Sequence, residues 1–524
     1  MRHCRKTGIP QPEWEKIRTT AIVKAMISET RTLPPTQVAG VFGPDLLEVL
    51  SIVQAEIPAD VYLTGGTVRD LLLGRRPVDI DLTVSRQARR WAAQLSQRTG
   101  GTYVELGREE DAARVVWQGR VVDFSSFREG ASSIGEELGK RDITLNSMAV
   151  RIASFAALGR GGAGDLSIVD PTGGLEDLKR QCVRMVSRGS FLADPLRLLR
   201  VFRFAAVLEF SIDPSTLEQV RRDASRLNRV AVERISHELE LIMSSTRAAP
   251  MFGRMAETTL LWEILPELRK GVGMEQPASH HLDVFAHCLE TLACAEQVLS
   301  RPESYFPESG KVMRRYLERP HAPVLVKWAA LLHDVGKPVT YTIDEDRGGR
   351  ITFYNHDREG AAIFADFSRR LRWPKKNQEE VFTLIRLHMR PFFLANVQRQ
   401  GTLSLKACLR LVRSAGPRLP GLFLLAMADA LAGKGDGSPQ EIEREVATLF
   451  ARLEQVRLEH VVPVQACPPL LTGRDLIDEL HLEPGPLFRK ILERVEQAQM
   501  EKTIRSRREA LALAASLAAR EHHA

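Results

Sequence analysis

Apolar positions between residues 61 and 124 fall in short runs, and beyond Pro214 they recur at helical spacing. Val61, Tyr62 and Leu63 form a β-branched and aromatic run that predicts a strand reaching Gly65-Gly66. Thr67 then opens a helical segment that Gly74 can close, and a second strand carries Asp79 and Asp81. Helical spacing precedes this region over Asp45–Ala55 and returns over Ser85–Gly100. Two more strands, Ala113–Trp117 and Arg120–Phe124, meet at Gln118-Gly119, with Asp123 on the second. Lys140–Ala149 reads as a charged loop feeding a helix, Asp170–Gly174 as a turn, and Leu175–Lys179 as a helix start. Phe191–Ala205 reads as one helix with Asp194 as its N-cap and Pro195 at its first position. Helix then follows helix to Leu260–Leu268 and a glycine-rich linker at Gly271–Gly273. An amphipathic run, Phe488–Gln499, and a basic, alanine-rich stretch, Glu501–Arg520, come last. Residues 1 to about 40 are a polar preface with turn signals at Pro10, Pro12 and Pro34-Pro35.

Composition bounds the class. At 524 residues and 44% hydrophobic content the chain divides into several domains with ordinary cores. A net charge of +7 favours a polyanionic partner, nucleic acid foremost. The 6 cysteines form no CxxC pair, so reduced thiols are expected and no structural zinc. The first twenty residues lack the apolar core of a signal peptide. The longest apolar stretch, Leu422–Ala432, is too short to span a bilayer and contains Asp429. A cytoplasmic protein with no membrane partner is expected.

The candidate chemistry begins with the carboxylates. Side chains two apart on a strand share a face, so Asp79 and Asp81 point the same way, as hard oxygen ligands for Mg²⁺ held against phosphates. Gly65 and Gly66 let main-chain N–H groups approach phosphate oxygens at a helix N-terminus. Asp123, on a strand beside the pair, is the expected third carboxylate of a two-metal site, its plain alternative being an Asp at a strand end. Arg141 could neutralise phosphate bidentately. Asp194 as a simple cap, with Arg197, Arg200 and Arg203 as a solvated spiral, is the bland reading of that helix.

Gly65-Gly66, then Arg69-Asp70, then Asp79 and Asp81 resemble the signature of the tRNA nucleotidyltransferase and bacterial poly(A) polymerase family, in its eubacterial and eukaryotic class. Arg141, Asp142 and Asn146 resemble its second motif, which implies contacts to sugar, triphosphate and the nucleotide pocket. Asp194 and Arg197 stand where the family reads Glu-Asp-x-x-Arg and uses Asp and Arg to choose the incoming base; Ala193 replaces the Glu. Arg200 and Arg203 fall in the same nucleotide-binding stretch, and Glu233-Arg234 resembles a later motif read as helix bracing. A histidine-rich region resembles the HD phosphohydrolase superfamily. His287, His333, Asp334 and Asp429 match its metal ligands, and His356 and His388 its two-metal members. The tail, from Leu471-Thr472-Gly473 onward, resembles the end of HD-bearing tRNA nucleotidyltransferases, with a possible contact to the tRNA acceptor arm.

The resemblance implies an α+β fold: a small mixed β-sheet nucleotidyltransferase head at residues 41–155 after an extension at 1–40. An all-α neck at 156–272, an all-α HD domain at 273–440 and a helical tail at 441–524 follow. It implies an enzyme adding nucleotides to an RNA 3′ end, foremost the CCA end of tRNA from CTP and ATP. Mg²⁺ would serve the head, and Ni, Mn, Co or Fe the HD site. The rivals are a poly(A) polymerase, a CC-only or A-only adder, and an HD phosphohydrolase with a vestigial head.

Overall fold

The computed structural model describes residues 32–33, 35–107, 111–128, 130–153, 166–277, 280–435 and 439–522. These form two compact units: one runs to Ile242 and includes Met255–Glu263, the other takes Met243–Arg254 and everything from Ile264. The helical neck is thus shared between them.

The first unit is built on eight strands: β1 Thr32–Leu33, β2 Val61–Thr64, β3 Asp79–Val84, β4 Thr102–Glu105, β5 Ala112–Trp117, β6 Arg120–Ser126, β7 Ala149–Arg151 and β8 Leu166–Val169. They lie in the order β1-β8-β7-β2-β3-β6-β5-β4, antiparallel throughout except for β3 beside β6. A parallel pair needs a crossover, which the helix Ala88–Thr99 supplies, ending at left-handed Gly100. β5 and β6 join through Gln118 and Gly119, both at positive φ, as a tight two-residue hairpin requires. On β3, Ile80 and Leu82 are buried while Asp79 and Asp81 face the other way, half-buried. The pleat itself separates core from chemistry.

Several elements differ from the sequence expectation. The helix expected over Asp45–Ala55 runs from Pro35 to Glu56, through Gly43-Pro44. Burial of Val38, Phe42, Val49, Leu50 and Val53 along it outweighs the local breakers, so the boundary expected at residue 40 falls inside a helix. Pro10, Pro12 and Pro34 lie outside the described residues. The helix after β2 begins at Gly65, two residues before Thr67, and Gly74 follows it at positive φ. Lys140–Ala149 feeds no α-helix: a 3₁₀ turn, Thr144–Asn146, leads straight into β7. Phe191–Ala205 is two helices, Arg188–Ala193 and Arg197–Leu208, broken at Asp194–Leu196. Pro195 removes a backbone donor there, and Asp194 is extended.

The second unit is mainly helical. Val284–Ser300, Ala322–Leu332, His356–Arg370, Lys375–Leu387 and Leu419–Ala432 pack together around buried aromatics including Trp328, Phe364, Phe367 and Phe423. A hairpin of Thr342–Asp344 and Arg350–Thr352 interrupts them. Farther on, Leu476, Ile491, Val495, Ala510 and Ala514 form their own apolar cluster, entered through a Thr472/Asp475 capping box. No helix among the described residues is long and apolar enough to cross a membrane.

Candidate active site

β2, the helix Gly65–Leu72 and β3 bring the first group of residues together. Asp81 pairs in register with Asp123 across the parallel β3–β6 ladder, so the expected third carboxylate stands beside the first two. Asp123 is held by a guanidinium fork: Arg114, its neighbour on β5, donates from Nε and Nη2 at 2.8 and 2.9 Å. The Gly66 N–H donates to Asp81 Oδ2 at 3.0 Å, and Thr67 Oγ1 ties the Asp79 carbonyl to the Asp81 N–H. The glycine amide expected to meet a phosphate is thus engaged with a carboxylate. Gly65 is required twice over: its φ is 64°, and a Cβ there would lie 2.7 Å from Asp81 Oδ2 and 3.0 Å from Arg141 Nη1.

Beneath them Arg141 donates from Nη2 to Thr64 and Thr83 Oγ1, each at 3.0 Å. Glu137, wholly buried, lies 3.6 Å from Arg141 Nε and also takes the side chain of Arg128. Burial, reinforced by Asp123, raises the pKa of Asp79 against the pull of Arg114. Burial also raises Asp81, with Arg141 opposing and Asp123 adding to it. Hard oxygen donors on one face, with Asp123 disfavouring charge on Asp79 and Asp81, fit a divalent cation such as Mg²⁺.

A second group forms a continuous polar chain. Arg69 donates to Asp70 and to Asn146 Oδ1, both at 2.9 Å, and Asn146 Nδ2 donates to Asp142 Oδ1 at 3.2 Å. Arg200 grips Asp142 Oδ2 from Nε and Nη2 at 2.9 and 2.6 Å, and reaches Glu238 at 3.5 Å. Arg203 Nε sits 2.6 Å from Glu238 Oε2, an ionic contact without hydrogen-bond alignment. Despite burial, Arg200 holds Asp142 far below the usual carboxylate range, while burial and Arg200 push Arg203 down to about 10. Arg69, Arg200 and Arg203 all lie over the Phe204 ring. Arg200 and Arg203 are therefore neither a solvated spiral nor open to a ligand along their bonded edges; they are struts.

Asp194 and Arg197 do not bond each other through their side chains. Arg197 Nη1 is anchored to Lys140 O at 2.8 Å and to Ser190 Oγ at 3.1 Å and O at 3.3 Å. Asp194 pairs with Arg234, read from sequence as bracing, and takes the Leu196 N–H.

The second unit gathers all six expected ligands, each buried. Asp334 is the hub: its Oδ2 lies 3.1 Å from His333 Nε2 and 3.6 Å from His287 Nε2, its Oδ1 3.4 Å from His356 Nε2 and 3.7 Å from His388 Nε2. Asp429 Oδ1 completes one side, 3.0 Å from His287 and 3.7 Å from His333. Among the described residues three overlapping triplets suited to a cation result, His287–His333–Asp429, Asp334–His356–His388 and, with one histidine beyond the expected six, His280–His287–Asp334. His333, His356 and His388 each have Nδ1 within 2.7–2.9 Å of the carbonyl three residues back, which fixes Nδ1–H as donor and turns Nε2 inward. His333 Nε2 is buried without an aligned hydrogen bond. Burial opposes charge on His333, yet Asp334 and Asp429 carry its pKa up to about 9, the response of an imidazole to surplus anions. This mixed imidazole and carboxylate set fits divalent transition metals. Gly336 makes the approach possible, since a Cβ there would meet the His356 carbonyl at 2.2 Å.

Sequence reasoning missed two neighbours. Lys337 Nζ forms an ion pair with Asp334 Oδ2 at 2.6 Å, and the His280 ring packs edge-on against His287 with centroids 4.6 Å apart. Lys337 sits in the same His-Asp-Val-Gly-Lys run as two of the expected ligands, which was the available signal. A cavity of about 600 Å³ opens beside the hub, walled by Phe353, Tyr354, Phe392, Phe393 and Arg350.

Comparison with known proteins finds family matches over both regions. Residues 61–184 match the poly A polymerase head domain, 209–271 the probable RNA and SrmB-binding site of polymerase A, and 284–433 the HD domain. The chain is 34% identical to the A-adding tRNA nucleotidyltransferase of Deinococcus radiodurans, over 84% of this chain and 92% of that one. It is 32% identical to the CC-adding tRNA nucleotidyltransferase of Thermus thermophilus, over 87% and 93%. Its fold is similar to that of the Thermotoga maritima CCA-adding enzyme complexed with tRNA-CCA, with a TM-score of 0.56, 20% identity, and 91% and 97% of the two chains covered.

Proposed function

Since this chain belongs to the tRNA nucleotidyltransferase family of these relatives, we propose that it builds or repairs the CCA end of tRNA from CTP and ATP, releasing pyrophosphate. The observation that carries the reading is Asp79 and Asp81 on one strand face, with Asp123 in register beside Asp81. These carboxylates would hold Mg²⁺, which would supply the positive charge that favours ionisation of the RNA 3′-hydroxyl and departure of pyrophosphate. Arg141, tied to the Thr64 and Thr83 hydroxyls, keeps positive charge behind Asp81. Arg69, Asp70, Asp142, Asn146, Arg200 and Arg203 form the wall of the nucleotide pocket, stiffened by their mutual bonds.

Asp194 and Arg197 read the base. Cytosine and adenine both set an amino donor beside a ring-nitrogen acceptor, matched by a carboxylate that accepts and a guanidinium that donates. Uracil and guanine present a carbonyl where that amino group belongs. Anchoring Nη1 of Arg197 fixes its plane and leaves Nε and Nη2 for the base.

The unsatisfied His333 Nε2 favours a second activity. In this reading the HD half holds a divalent transition metal, Ni, Mn, Co or Fe, and hydrolyses phosphomonoesters or cyclic phosphodiesters. Lys337 lies at the same hub, where its charge suits a phosphate oxygen.

The deciding experiment supplies tRNAs ending before, within and after CCA with each NTP alone. CTP entering first and ATP last gives complete CCA addition. Incorporation of CTP only, or of ATP only, makes the enzyme a partial adder, and A-tracts on unrelated RNA make it a poly(A) polymerase. No incorporation alongside metal-dependent hydrolysis leaves the head vestigial.

A further inference from the structure

We infer that Arg234 is a positioning residue for base selection: its guanidinium fork fixes the plane of the Asp194 carboxylate and leaves one oxygen lone pair for the amino group of cytosine or adenine. The inference rests on Asp194 and Arg197 being the base-reading pair.

The carboxylate's partners support it. Arg234 Nη2 donates to Asp194 Oδ2 at 2.8 Å and Nη1 to Oδ1 at 3.4 Å, and the Leu196 N–H donates to Oδ1 at 3.2 Å. An ionised carboxylate accepts at about four lone-pair sites. Three are taken, and the vacancy is on Oδ2. Ala193 offers no side-chain group that could hold its neighbour, so among the described residues Arg234 is the only side chain bonded to Asp194.

The helix Val232–Ser244 makes the contrast explicit. Arg234 and Glu238 lie one turn apart and both reach back to the stretch Asp194–Arg203. Glu238 is buried and clamps Arg200 and Arg203, as a structural strut does. The Arg234 side chain is 53% exposed and that of Asp194 27%, and a pair so open to water adds little to folding. What a bidentate fork does supply at such a place is a fixed plane.

Steady-state kinetics with CTP, ATP, UTP and GTP test this on Arg234→Ala, Arg234→Lys, Asp194→Asn and the Arg234→Ala/Asp194→Asn double variant, with Tm for each. In Arg234→Ala the preference for CTP and ATP over UTP and GTP is expected to fall about tenfold, the size of one weakened charged hydrogen bond, through KM with kcat and Tm nearly unchanged. Arg234→Lys keeps the charge but not the fork, so it shows the same fall and carries the test should the alanine variant not fold. In the double variant, loss of Arg234 adds nothing to loss of Asp194. Unchanged nucleotide ratios in Arg234→Ala, an equal loss for all four nucleotides with a lowered Tm, or additivity in the double variant overturns the inference. If Asp194→Asn shifts the ratios and Arg234→Ala does not, only the role of Arg234 falls. If neither shifts them, the base-reading pair itself falls.

Discussion

The head and the HD half keep their acidic groups in opposite conditions. Asp79, Asp81 and Asp123 are half-buried on a sheet face, where burial and the charge of Asp123 raise the proton affinity of Asp79 and Asp81, and have arginines as their cationic neighbours. Asp334 and Asp429 are buried among four imidazoles, three of them aimed by their own backbone. An open, mutually repelling set suits positive charge that comes and goes with a substrate. A closed set with oriented nitrogens suits an ion that stays.

The sharpest way to break this contrast is to remove head carboxylates. Asp79→Ala or Asp81→Ala is expected to lower nucleotide incorporation by roughly a thousandfold or more, while tRNA binding and HD metal content remain. Wild-type turnover in either variant would sink the metal assignment. The reciprocal change, His333→Ala with Asp334→Ala, should empty the HD half of transition metal by elemental analysis and end its hydrolysis, leaving nucleotide addition intact. Metal and hydrolysis that survive the double change would make that half a scaffold. A smaller effect is expected at Arg197: its alanine variant should alter discrimination among the four nucleotides by about ten- to a hundredfold, read as ratios of kcat/KM. Ratios that stay put in a folded enzyme move base selection elsewhere. Smallest is the local cost at Asp194, whose carboxylate accepts the Leu196 N–H. Asp194→Ala should lower stability by about 1 kcal/mol in denaturant unfolding, and no change would mean that the bond contributes nothing to the fold.

Local signals carried much of this. Strand, paired glycines, helix and Asp-x-Asp are contiguous, so period and turn chemistry alone put Asp79 and Asp81 on one face. The expected HD ligands come from segments far apart in the chain, and only the resemblance joined them. The helix Pro35–Glu56 was hidden because burial along one face overrode Gly43-Pro44, which no window of sequence reveals. Arginines at helical spacing after Asp194 looked alike, and nothing local distinguished Arg197, tied to the Lys140 carbonyl, from Arg200 and Arg203, which meet Glu238 more than thirty residues on. Long-range partners decide which charge is a strut and which has donors to spare.

The short bonds from His333, His356 and His388 to carbonyls three residues back have a further consequence. Each is made within one turn of chain, so the aim of these rings is set as the backbone folds and owes nothing to an ion. The centre is a socket rather than a knot: emptied by a chelator, it should keep its shape and refill without refolding. Which divalent ion it then keeps would follow supply at the moment of filling rather than the fold.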